Sequence, residues 1–86
     1  MNKNTKPMGD IIKTFTTSVE ELEKNYEALD MDNKTSVKSF EAVVLELLAS
    51  LKRHQDKPGN EELEDDFEDL IYRVILILGQ LDLLEV

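Results

Sequence analysis

Residues 61–84 read EELEDDFEDLIYRVILILGQLDLL, and most of their apolar side chains recur with alternating gaps of four and three positions. The members of this series are Leu63, Phe67, Leu70, Val74, Ile77, Leu81 and Leu84. Such gaps average about 3.5 residues, so the series lies along one stripe of an α-helix that packs beside other helices. The stretch therefore predicts a helix over 61–84.

The same spacing occurs in two earlier series. They are Met8, Ile12, Phe15, Val19, Leu22, Tyr26 and Leu29, followed by Val37, Phe40, Val44, Leu47 and Leu51. Together the three series predict an all-α protein with helices over about 7–29, 36–55 and 61–84. The connections are short, so consecutive helices should run in opposite directions and form a three-helix antiparallel bundle.

The helix ends have recognisable sequence signals. Pro7 suits the first turn of a helix, although Ser18 begins a capping-box pattern that could start helix 1 later. Either Thr35 or Ser36 can cap helix 2. In the connection Lys57-Pro58-Gly59-Asn60, proline and glycine stop one helix and Asn60 can cap the next.

Length and composition favour a single small domain covering 1–86. The chain has no cysteine, which excludes disulfides and thiolate metal ligands. Its longest uninterrupted apolar run covers only 74–78, far below the roughly 20 residues that cross a bilayer. We therefore expect a cytoplasmic protein that does not enter the membrane.

The negative charge is concentrated in one segment. The chain carries a formal charge of −9, which opposes direct binding to nucleic acid. Seven carboxylates and no basic residue fall in 61–69: Glu61, Glu62, Glu64, Asp65, Asp66, Glu68 and Asp69. They form either a solvated helix face or a docking surface for a protein with a basic surface.

The second half of helix 3 has more apolar residues than one core-facing stripe requires. Between 70 and 78 only Arg73 is charged. The additional apolar residues are Ile71, Tyr72, Ile75, Leu76 and Leu78. Since two neighbouring helices cannot cover such a helix on all sides, we expect a seam for self-association through helix 3, as in a homodimer, or for another protein.

The segment 30–41 resembles an EF-hand calcium loop in its first, third and twelfth positions, which are Asp30, Asp32 and Glu41. The resemblance would imply a calcium site at these three carboxylates. The segment departs from the family pattern because Lys34 replaces a ligand, Thr35 replaces the turn glycine, and Lys38 adds a positive charge. An ordinary polar turn between two helices is the other interpretation, and we expect no metal.

Residues suited to catalysis are few. His54 is the only histidine, and the sequence surrounds it with no serine-plus-acid pattern, so we expect it to interact with the negative end of helix 2. Glycine-rich phosphate loops and HExxH motifs are absent from the sequence. We therefore expect no enzymatic activity and no cofactor.

These observations favour a small acidic, non-enzymatic binding protein of the inhibitor, immunity or anti-defence type, which covers a basic surface of a partner protein. A homo-oligomeric helical scaffold or regulatory module is the first alternative. A degenerate calcium switch of the EF-hand kind is the second.

Overall fold

The computed structural model describes the backbone of residues 7–84 and the side chains of 10–83. It contains α1 (Pro7–Glu27), α2 (Lys34–Gln55) and α3 (Glu64–Leu84), with a single 3-10 turn, Glu61–Leu63, before α3. No strand occurs within 7–84, so the predicted all-α, three-helix class is confirmed. None of the helices in this part of the chain has the length and apolar character needed to cross a membrane.

Helix α1 is continuous from Pro7 to Glu27, so the alternative start at Ser18 is wrong. The hydroxyls of Thr16 and Thr17 donate to the carbonyl oxygens four residues earlier, at 2.8 and 3.1 Å. Both hydroxyls are therefore satisfied by the helix backbone itself, which is how threonine is accommodated inside a helix. The helix ends two residues before the predicted Leu29.

Helix α2 begins two residues earlier than predicted. Its cap is Asn33, whose side-chain oxygen accepts a hydrogen bond from the backbone N–H of Ser36 at 3.1 Å. The predicted caps, Thr35 and Ser36, therefore lie inside the first turn. The predicted end at Gln55 is correct.

In the turn between α2 and α3, the Asn60 side chain makes a different hydrogen bond from the one predicted. The prediction that Asn60 caps the next helix is wrong, because its side chain makes no capping hydrogen bond there. Its amide nitrogen instead donates to the carbonyl oxygen of His54 at 2.7 Å, near the C-terminus of α2. Asn60 is the buried polar residue of the described chain, and Gly59 precedes it with a φ of 96°, which favours glycine.

Contacts between side chains define the helix directions. Near the start of α1, the Phe15 ring centroid lies 5.0 Å from that of His54 and 5.9 Å from that of Phe67. Near the end of α1, the Tyr26 ring centroid lies 6.0 Å from that of Phe40, and the Tyr26 hydroxyl donates to Gln80 Oε1 at 2.6 Å. The start of α1 therefore lies beside the end of α2 and the start of α3, and the end of α1 lies beside the start of α2 and the end of α3. Helix α1 is consequently antiparallel to α2 and parallel to α3. Consecutive helices are therefore antiparallel, as predicted.

The core lies on the inner faces of all three helices. Its buried members are Val19, Leu22, Val37, Phe40, Val44, Leu51, Phe67, Leu70, Ile71, Val74, Ile77 and Leu81. Helix α3 packs most closely against α2 and less closely against α1, whereas the backbones of α1 and α2 come close at few points and meet through the two ring contacts. An open groove of about 660 Å³ consequently separates α1 from α2.

Candidate protein-binding surface on helix α3

The seven carboxylates between Glu61 and Asp69, here called the acidic segment, all have exposed side chains. They occupy the 3-10 turn and the first turns of α3, while Phe67 and Leu70 point inward. The positive end of the helix dipole stabilises carboxylates at this end. Glu61 also accepts hydrogen bonds from the Gly59 N–H, at 3.1 and 3.2 Å, which holds its side chain against the turn.

Arg73 is the basic residue of α3, and it is engaged with α1. Its Nη2 and Nε atoms donate to the Glu23 carboxylate at 2.6 and 3.1 Å. This hydrogen bonding lowers the pKa of Glu23 below its ordinary value and raises the pKa of Arg73. The Coulomb interaction with Asp69 also raises the Arg73 pKa, so the guanidinium lies within electrostatic reach of the acidic segment.

The five residues predicted as a seam separate into two groups. Ile71 is buried, so including it in an outward seam is wrong, whereas Leu78 is half-buried and packs against the same core. Both continue the inner stripe, because a step of three or four residues joins each of them to buried Val74. Tyr72, Ile75 and Leu76 do face outward, with exposed fractions of 61, 45 and 49%.

Two further residues complete the outward surface, and the sequence prediction missed both. Leu83 is 75% exposed, and Gly79 lies exposed between it and Leu76. The signal available in the sequence is a second series with gaps of four and three, offset from the core series, at 72, 76, 79 and 83. We call the set Tyr72, Ile75, Leu76, Gly79 and Leu83 the outer apolar face.

The acidic segment and the outer apolar face follow one another on the side of α3 that points away from the core. At about 100° per residue, Asp65, Tyr72 and Leu76 fall on one side of the helix axis, opposite Phe67 and Val74. One rigid helix thus presents a charged half and an apolar half in sequence, a combination suited to binding other proteins.

The segment resembling a calcium loop has the geometry of an ordinary turn. Asp30 accepts a hydrogen bond from the backbone N–H of Asp32 at 3.0 Å, and α2 already begins at Lys34. The second part of the segment is therefore helical and cannot wrap around an ion, and Glu41 lies on α2, half-buried. Within 10–83, no group of three acidic, histidine or cysteine side chains is arranged to hold a metal.

His54 lies in the last turn of α2, as predicted, and its contacts are structural. Its Nδ1 atom is 2.8 Å from the Ser50 carbonyl oxygen, and the half-buried ring meets Phe15 edge to face. These contacts connect the end of α2 with α1. They use the imidazole to pack the end of α2 against α1.

The groove between α1 and α2 was not expected from the sequence. Its apolar part includes Phe15, Leu22, Val43 and Leu47, and charged side chains such as Arg53 also line it. Nothing in the described chain fills the groove. The spacing predicted which residues form the inner stripes, but it carried no information about how far apart two stripes lie.

Comparison with protein-family models, curated proteins and solved structures finds no match.

Proposed function

We propose that this protein is a small non-enzymatic protein-binding module of the inhibitor, immunity or anti-defence type, whose acidic segment covers a basic surface of a partner protein. The observation that carries the proposal is the exposure of all seven carboxylates, two on the 3-10 turn and five on the first turns of α3. The absence of enzymatic activity and of a cofactor is part of the proposal.

The bundle supports this function by keeping the acidic segment rigid. Phe67 is fully buried and lies within the segment, so the backbone between the carboxylates is anchored directly to the core. Prearranged charges lose little conformational freedom when a partner binds, and they accelerate encounter with a surface of opposite sign. Nonenzymatic inhibition needs only such an obstructing contact.

A charge-reversal experiment tests the proposal. A partner is first isolated by affinity capture from the native host, and its binding to the triple variant Glu64→Lys, Asp65→Lys, Glu68→Lys is then measured across salt concentrations. The control is Glu21→Lys, Glu27→Lys, Glu46→Lys, which makes the same charge change at exposed positions of α1 and α2.

The first variant should associate more slowly and bind more weakly than the control, especially at low salt, because screening removes the difference at high salt. Both variants should retain the far-UV circular dichroism of the unmodified chain. Equal binding by the two variants, or greater loss in the control, would refute the acidic segment as the docking surface.

A homo-oligomeric scaffold or regulatory module is the second candidate function. The observation that favours it is the outer apolar face, which the described residues, 10–83, leave exposed. The two functions are compatible because the charged and apolar halves of α3 do not overlap.

A further inference from the structure

We infer that a second copy of the chain covers the outer apolar face, with the two α3 helices antiparallel and Gly79 of each copy beside Leu76 of the other. The inference rests on the second candidate function, the homo-oligomeric module, and does not depend on the acidic segment having a partner. It rests on the glycine, on the order of residues along the face and on the distribution of charge.

Packing among the described residues does not require glycine at position 79. Gly79 lies inside α3 with ordinary helical backbone, and a Cβ atom added there would meet no atom within 4 Å. Glycine inside a helix is unfavourable relative to alanine because it loses more conformational freedom on folding. Close approach of another helix, which a larger side chain would prevent, accounts for glycine at this position.

The outer apolar face is complementary to itself. Its central residues, Tyr72, Leu76, Gly79 and Leu83, are separated by four, three and four positions, an order that reads the same in both directions. A two-fold axis midway between Leu76 and Gly79 therefore places each leucine beside the partner's glycine and each Tyr72 beside the partner's Leu83. At the centre each copy supplies both a bulky Leu76 and a Gly79 without a side chain, so the face is complementary to itself about a two-fold axis. This complementarity favours a second copy over an unrelated protein.

Charge selects the antiparallel direction. A parallel pair would hold two acidic segments, each carrying −7, next to one another along the same side. In the antiparallel pair the two acidic segments lie at opposite ends. The remaining repulsion between chains of −9 is reduced by salt, so the dimer should become tighter as salt increases. Docking of the acidic segment on a basic partner has the opposite salt dependence.

The area of the face predicts a weak, reversible dimer. The exposed fractions of Tyr72, Ile75, Leu76 and Leu83 correspond to roughly 400 Å² of surface. A standard interface buries about 800 Å² per partner, so these four side chains supply about half of that area. We therefore expect dissociation constants in the micromolar range or weaker.

Sedimentation equilibrium of the full chain tests the inference. Between about 10 μM and 1 mM, concentrations that span such affinities, the average mass should rise from 9.9 kDa towards twice that value, and more steeply at high salt. Leu76→Glu should weaken the dimer by at least about tenfold, because it places two unpaired carboxylates in the interface. Leu45→Glu is the matched control, since Leu45 on α2 is 48% exposed against 49% for Leu76, and it should dimerise like the unmodified chain.

Gly79→Gln provides a second, independent variant. Glutamine forms helix better than glycine, its Cβ atom would meet nothing within 4 Å, and the position is exposed, so the folded monomer should be at least as stable. Its longer side chain should nevertheless weaken the dimer at the proposed crossing point. A chain that stays monomeric up to 1 mM at high salt, a dimer weakened by Leu45→Glu but not by Leu76→Glu, or unchanged dimerisation of Gly79→Gln would overturn the inference.

Discussion

Replacement of Asn60 by aspartate and by alanine tests whether one buried amide joins the end of α2 to the turn. Asn60 is 7% exposed, and its Nδ2 atom donates to the His54 carbonyl oxygen at 2.7 Å. The Lys57 N–H also donates to this oxygen, at 3.2 Å, so Asn60→Ala leaves the carbonyl with a partner. We expect Asn60→Ala to lower the free energy of unfolding by about 1–2 kcal/mol, the contribution of a hydrogen bond and some packing.

Asn60→Asp should be more harmful at neutral pH, by about 2–4 kcal/mol in total, because it turns a buried carboxylate towards a carbonyl oxygen. Burial and the facing oxygen raise the pKa of this aspartate above its unfolded value. Protonation therefore stabilises the folded variant at low pH, and that stabilisation is lost as the pH rises through the raised pKa. The stability deficit relative to Asn60→Ala should consequently shrink between about pH 7 and about pH 4.

Urea unfolding followed by far-UV circular dichroism measures both variants against the unmodified chain at each pH. For a chain of this size, each kcal/mol should also lower the thermal midpoint by about 4–8 °C. Asn25→Asp, at an exposed position of α1, controls for adding one negative charge. Equal stability of Asn60→Asp and Asn60→Ala at neutral pH would refute the reasoning, as would a stability difference between them that does not change with pH.

Two further predictions concern the turn and the ion pair. Gly59→Ala should lower the unfolding free energy by about 1–2 kcal/mol in urea titrations, because its φ of 96° is unfavourable for a residue with a Cβ atom; an unchanged midpoint would contradict this explanation. Glu23→Gln should cost less than about 1 kcal/mol at neutral pH, since water screens its partly exposed pair with Arg73. Hydrogen bonding to Arg73 lowers the Glu23 pKa, so the pair stabilises the fold above the unfolded pKa and loses this effect as the pH falls through the lowered value. Unfolding curves of the variant and the unmodified chain should therefore converge in acid, and a constant difference would exclude the ion pair as its cause.

The candidate site was predictable where local pattern alone determines exposure. The acidic segment surrounds Leu63 and Phe67 of the inner series, so its carboxylates had to point elsewhere, and all are exposed. The apolar half was harder, because an apolar residue is compatible with either side of a helix. The count of apolar residues assigned Ile71 and Leu78 to the same seam as Ile75. Packing against the other helices instead buries Ile71 and half-buries Leu78.

Taken alone, the sequence determined the number of helices, their approximate ends and their alternating directions. These follow from residue spacing and short connections, which act over one helix or one turn. The predicted caps of α2, Thr35 and Ser36, were wrong, because Asn33 can also cap a helix and the structure selects it.

Only the tertiary structure decided which apolar side chains remain exposed, how α1 and α2 separate into a groove, and why Asn60 is buried. Each of these depends on the distance between elements that are remote in sequence. Gly79 shows the distinction most clearly: within the sequence it is a weak point of a helix, but in the bundle it lies on an open apolar face. Its position becomes meaningful once the other two helices have occupied the opposite side of α3, because they determine which side remains uncovered.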